Sequence, residues 1–138
     1  MNPKLRNILA VIAGFVIGSL INYGLVVYGH SVYPIEGVDP NDMEALNKVM
    51  PTLEFKYFIF PFLAHALGTF AGAATAAWIA VGRKMIPALI VGGLFLLGGI
   101  YAATVISAPT WFVIADLVLA YLPMACLGGK FAKRLSGD

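Results

Sequence analysis

The chain reads as an all-α integral membrane protein, an antiparallel bundle of four transmembrane helices with a short amphipathic helix in its first outer connection. Three observations predict this. Hydrophobic residues make up 60% of the 138 positions and charged residues 12%, with a mean hydropathy of +0.87; a soluble domain is nearer half apolar and a quarter charged. Four apolar runs each approach the length needed to cross the hydrocarbon core. The basic residues are also sorted: Lys4, Arg6, Arg83, Lys84, Lys130, Lys133 and Arg134 fall at one set of ends, and only Lys48 and Lys56 at the other. By the positive-inside rule both termini and the Arg83-Lys84 turn are expected in the cytoplasm.

The same composition narrows the function classes. The net charge of +2 comes without a basic stripe carrying aromatic or polar readers, so nucleic acid is not an expected partner. A single cysteine, Cys126, excludes an internal disulfide and any cysteine-based metal cluster. Membrane lipid is the expected surrounding, with a homo-oligomer or membrane-complex partner as a further expectation.

Span 1 is expected over about residues 8–28. Lys4 and Arg6 precede it as in a signal peptide, but the apolar run is longer than a signal core and no A-x-A pattern follows, so it reads as retained. Gly14, Gly18 and Asn22 recur every fourth residue and share one face; Gly-x-x-x-Gly allows close helix packing. The outer connection 29–56 holds Asp39-Pro40, an N-cap followed by proline at the first helical position, then Met43, Leu46 and Met50 as a narrow apolar stripe ended by Pro51. A short amphipathic helix over 40–50 is expected there.

Span 2, about 57–81, opens with an aromatic belt from Phe55 to Phe62 and carries the small-residue ridge Ala64, Gly68, Gly72 and Ala76 with His65 at its edge. Span 3, about 85–106, contains Gly92-Gly93, Gly98-Gly99 and Tyr101. The short turn Ser107–Thr110 makes spans 3 and 4 a hairpin. Span 4, about 111–127, holds Asp116 and is expected to kink at Pro123.

Depth along these spans brings four polar residues to one level. At 1.5 Å per residue His65 lies about 12 Å below the outer boundary, Asp116 about 8 Å, and Asn22 and Tyr101 in the same range. Polar groups facing hydrocarbon are costly, so Asn22, His65, Tyr101 and Asp116 are expected to point inward and meet. An intramembrane carboxylate either ionises beside a cation or hydrogen-bond donors or stays protonated. His65 is the only titratable base at that depth, so a His65–Asp116 hydrogen bond is expected. It would either latch spans 2 and 4 together or serve as a proton relay or polar-head site. Gly14, Gly18, Gly68 and Gly72 are expected to pack helices.

No HExxH, GxSxG, P-loop or Rossmann glycine pattern is present, so no cofactor, no metal and no catalytic residue is assigned. The segments AHALGTFAG, LLGGIY and DLVLAYLPMACLGGK, over nearly the whole chain, resemble small four-span bacterial inner-membrane proteins without an established activity. The resemblance implies fold and an inner-membrane location and carries no functional residues. Fluoride channels and small multidrug transporters do not fit; the latter expect a glutamate in span 1. The leading expectation is a non-enzymatic accessory, scaffold or oligomer-forming subunit. The alternatives are a small transporter or channel using the His-Asp layer, and a lipid- or quinone-handling enzyme with a pocket at that layer.

Overall fold

The computed structural model describes every residue from Met1 to Asp138. It is all-helical: α1 Pro3–Val32, α2 Met43–Val49, α3 Lys56–Ile79, α4 Met85–Val105, α5 Thr110–Leu119 and α6 Leu122–Leu135, with one 3-10 turn, Met50–Thr52, after α2. Four helical stretches are long and apolar enough to cross a membrane: α1, α3, α4, and α5 with α6 taken together.

Each boundary has a local cause. Asn2 caps α1, its side chain accepting the Lys4 N–H at 2.9 Å, with Pro3 in the first turn where its missing N–H costs nothing. The short helix in the first connection starts later than the Asp39-Pro40 pattern suggests. Asp42 is its cap, accepting the Ala45 N–H at 3.1 Å, while Asp39 takes the Asn41 N–H at 2.9 Å in a preceding turn. Two aspartates compete for one helix start. The later one leaves Glu44 in the first turn and Lys48 in the last, a favourable order for the helix dipole.

The fourth apolar stretch is two helices rather than one kinked helix. Pro123 has no N–H, and its ring would meet the carbonyl of Leu119 in a continuous helix. The chain breaks ahead of it: α5 closes at Ala120, Tyr121 leaves helical geometry (φ −110°, ψ −82°), and α6 restarts with Pro123 in its first turn.

α3 is the hub, since α1, α4, α5 and α6 all pack on it. Small residues make its contacts close. A Cβ on Gly14 would lie 2.4 Å from the Gly72 carbonyl oxygen, and one on Gly18 would lie 2.6 Å from that of Gly68. Backbone therefore rests on backbone between α1 and α3, and dispersion over the whole crossing replaces large interlocking side chains. Buried alanines repeat the device between α3, α4 and α6, where Ala73, Ala77, Ala88, Ala125 and Ala132 form one cluster.

Polar side chains tie the two ends of the bundle. At one end Arg6 Nε donates to the Ile79 carbonyl at 2.6 Å. Asn7 there accepts the Val81 N–H at 2.9 Å, and Lys84 reaches Ser136 and Asp138. At the other end Asn47 of α2 holds the α4–α5 turn. Its Nδ2 donates to the Val105 carbonyl at 2.9 Å and its Oδ1 accepts the Ser107 N–H at 3.0 Å. α2 is thereby clipped across the end of the bundle.

Candidate functional site

His65 Nδ1 and Asp116 Oδ1 lie 2.7 Å apart, joining α3 to α5. The second carboxylate oxygen, Oδ2, accepts the hydroxyl of Tyr121 at 2.9 Å, and the Tyr121 ring stacks on the His65 imidazole with centroids 5.7 Å apart. Asp116 is 5% exposed and Tyr121 2% exposed. Both carboxylate oxygens thus have a partner, as a buried polar group requires. Tyr121 is the residue that sequence reasoning missed. Five positions along a regular helix are about 140° round its axis, which would turn Tyr121 away from Asp116. The break ahead of Pro123 swings it back. A tyrosine two residues before a proline that cannot continue the helix was the available signal.

The expected four-residue layer is therefore corrected in two members. Tyr101 is 68% exposed and faces out of the bundle. Depth along a helix does not fix the face. Gly99, two residues earlier and about 200° away, is the α4 position that meets Tyr121, and a Cβ there would lie 2.5 Å from the tyrosine oxygen. Asn22 points to the α1–α3 contact, where its Cβ packs over Gly68, and its Oδ1 is sealed without a partner. Of the four packing glycines, Gly14 pairs with Gly72 and Gly18 with Gly68.

His65 keeps a second polar atom, Nε2. The only sealed side-chain polar atoms without a partner are Asn22 Oδ1 and Thr69 Oγ1. Nε2 bonds to nothing in the protein and is not among them, and the His65 side chain is 23% exposed. His65 lines a cavity of about 210 Å³ at the α2 end of the bundle. Its floor is His65 and Asp116, its walls include Phe58, Ala103 and Phe112, and Leu46 and Met50 cover it from the α2 side. His30, at the end of α1, is its one other titratable group.

Phe58 and Phe112, with centroids 4.9 Å apart, also line a second, wholly apolar groove of about 270 Å³ on the α3–α5 face. Both residues are shared by groove and cavity. Larger hollows of about 350 Å³ between α1 and α4 and about 510 Å³ beside Lys130 and Arg134 are more open and reach neither His65 nor Asp116.

The hydrogen-bond pattern also sets the chemistry. An ionised Asp116 takes the Tyr121 hydroxyl on one oxygen and the Nδ1–H of His65 on the other; Nε2 is then an acceptor in the neutral imidazole and a donor in the imidazolium. The site is a largely apolar cavity with an imidazole held at its base. No protein-family model, curated protein sequence or solved structure matches the chain.

Proposed function

We propose that the chain is a bacterial inner-membrane protein, an antiparallel four-span bundle with both termini cytoplasmic, that binds a small amphiphilic molecule in its outer half. The membrane reading is supported by the exposed surface of the four long helices. Between 17% and 39% of their most apolar windows is buried within the chain, and lipid is the solvent that such a surface suits. The sorting of Arg6, Arg83, Lys84, Lys130, Lys133 and Arg134 to one end supports the orientation.

The observation that carries the ligand reading is that His65, whose Nε2 has no partner in the protein, lines the 210 Å³ cavity; in this reading Nε2 faces it. Apolar walls with few convergent polar groups are the usual make-up of a small-molecule site. The cavity ends inward at His65 and Gly99, and Phe95, a turn deeper on α4, is buried in the core. A closed end favours binding over conduction. The Asp116 bonds to His65 and Tyr121 also fasten α3 to the α5–α6 junction, and this favours a second reading, an accessory protein whose polar cluster only orders the bundle.

Photolabelling separates the two. A diazirine-bearing alkylbenzene, irradiated with the full chain in membranes, should leave adducts on segments carrying Met50, Ala103 or Phe112. Ala103→Phe, which fills the cavity, should abolish them, and Ile100→Phe on the exposed face of α4 should not. Adducts spread evenly over the exposed helices and unchanged by Ala103→Phe would leave only the fastening role.

A further inference from the structure

If the cavity binds an amphiphile, as proposed above, its polar floor also specifies the head of that molecule. We infer that the ligand is uncharged and presents a hydroxyl, carried on a group about the size of one substituted ring, to Nε2 of His65.

Four observations narrow the chemistry. Both Asp116 oxygens already accept a bond, from His65 Nδ1 at 2.7 Å and the Tyr121 hydroxyl at 2.9 Å, and the residue is only 5% exposed. With the imidazole neutral, Nε2 is the unpartnered acceptor on the floor, and a matching head must donate. No lysine or arginine lines the cavity, and His30 sits at the exposed end of α1, so a phosphate or carboxylate seated at His65 would lie beside Asp116 without a fixed counter-charge, an arrangement that costs heavily in an apolar site. The volume of about 210 Å³ exceeds the roughly 150 Å³ that accepts benzene in an apolar protein cavity. It is too small for a phospholipid head with its chains. Finally, the acceptor is held in place: Tyr121 stacks on the imidazole, and Gly99 leaves no room for Tyr121 to move toward α4.

The test uses the purified full chain in nonionic micelles and three probes: 4-butylphenol, its methyl ether 4-butylanisole, and 4-butylbenzoate. Isothermal titration should give a Kd for the phenol about tenfold below that of the ether, the usual worth of one hydrogen bond to a site that would otherwise go unmatched. Titration of each probe into protein-free micelles fixes its free concentration, and the Kd values are compared on that scale. The benzoate should not bind. His65→Phe should bring the phenol to the level of the ether. Equal binding of phenol and ether to the unaltered protein overturns the hydroxyl assignment while leaving an amphiphile site in place. Benzoate binding overturns the exclusion of anions. Absence of binding by both phenol and ether removes the binding-site reading itself. The comparison on the unaltered protein decides the matter even where His65→Phe fails to fold.

Discussion

Gly99→Ala is the sharpest perturbation of the cluster, because it adds one methyl group and touches no polar atom. The new Cβ would lie 2.5 Å from the Tyr121 oxygen and 2.6 Å from Cε2 and Cζ of its ring. Ordinary contact begins near 3.4 Å, so ring or helix must retreat by roughly 0.9 Å to restore favourable dispersion distances. The ring is rigid, 2% exposed and stacked on His65, so it cannot swing aside. Retreat of the ring would disturb its 2.9 Å bond to Asp116. Overpacking costs about 1–3 kcal/mol and the disturbed bond up to about 1 kcal/mol more, against a gain of up to about 1 kcal/mol from replacing a helical glycine. A net loss of about 1–3 kcal/mol is expected. Gly98→Ala is the control. Its Cβ meets nothing within 4 Å, so only the propensity gain of about 1 kcal/mol remains. Denaturant unfolding of both variants in the same micelles measures the difference. Equal stability of the two, with Tyr121 unchanged in its ultraviolet absorption, would refute the close seating of Tyr121 on α4.

Asp116→Asn places an amide N–H₂ where one of two donors now finds an acceptor, and should cost about 1–3 kcal/mol in equilibrium unfolding. Gly14→Val drives a branched side chain into the Gly72 carbonyl and should cost about 3 kcal/mol, read as loss of cross-linking between cysteines introduced on α1 and α3. Asn47→Ala removes both bonds that hold α2 to Val105 and Ser107; exchange of the Ser107 amide should rise at least about tenfold while global unfolding changes by less than about 2 kcal/mol. Asp138 is held below the usual carboxylate range by its hydrogen bond from Lys84, with Ser136 and the nearby positive charge of Lys133 adding to it. A depressed carboxyl stabilises the folded contact above its ordinary pKa and loses that contribution as pH falls through the lowered value. Nuclear magnetic resonance of the Ser136 and Asp138 amides should therefore show the contact intact at neutral pH and released only below about pH 4.

How far the sequence carries these conclusions differs from element to element. The four long helices follow from apolar runs of about bilayer length, which tertiary structure has little power to override. The approach of His65 to Asp116 was accessible because a lone base and a lone acid at matching depth have few other partners. Tyr101 went astray because depth alone carries no information about the face of a helix. Tyr121 was hidden because its spacing from Asp116 is not helical, and only the break ahead of Pro123 brings it round. The start of α2 turned on a contest between Asp39 and Asp42 that local pattern does not decide. The cavity was the least legible feature. It arises where the small side chains of Ala102, Ala103 and Ala108 line free space, and missing volume leaves no motif.

The central claim is that His65 spends Nδ1–H on Asp116 and offers Nε2 to the cavity. The chain has two histidines, so ¹⁵N spectra of histidine-labelled protein in lipid, with His30→Asn to assign them, read this directly. The account predicts a protonated Nδ1 and a bare Nε2 at neutral pH, with the Nε2 resonance shifting when 4-butylphenol is added. A protonated Nε2, whether with a bare Nδ1 accepting from Asp116 or in an imidazolium, unmoved by the phenol, would contradict it.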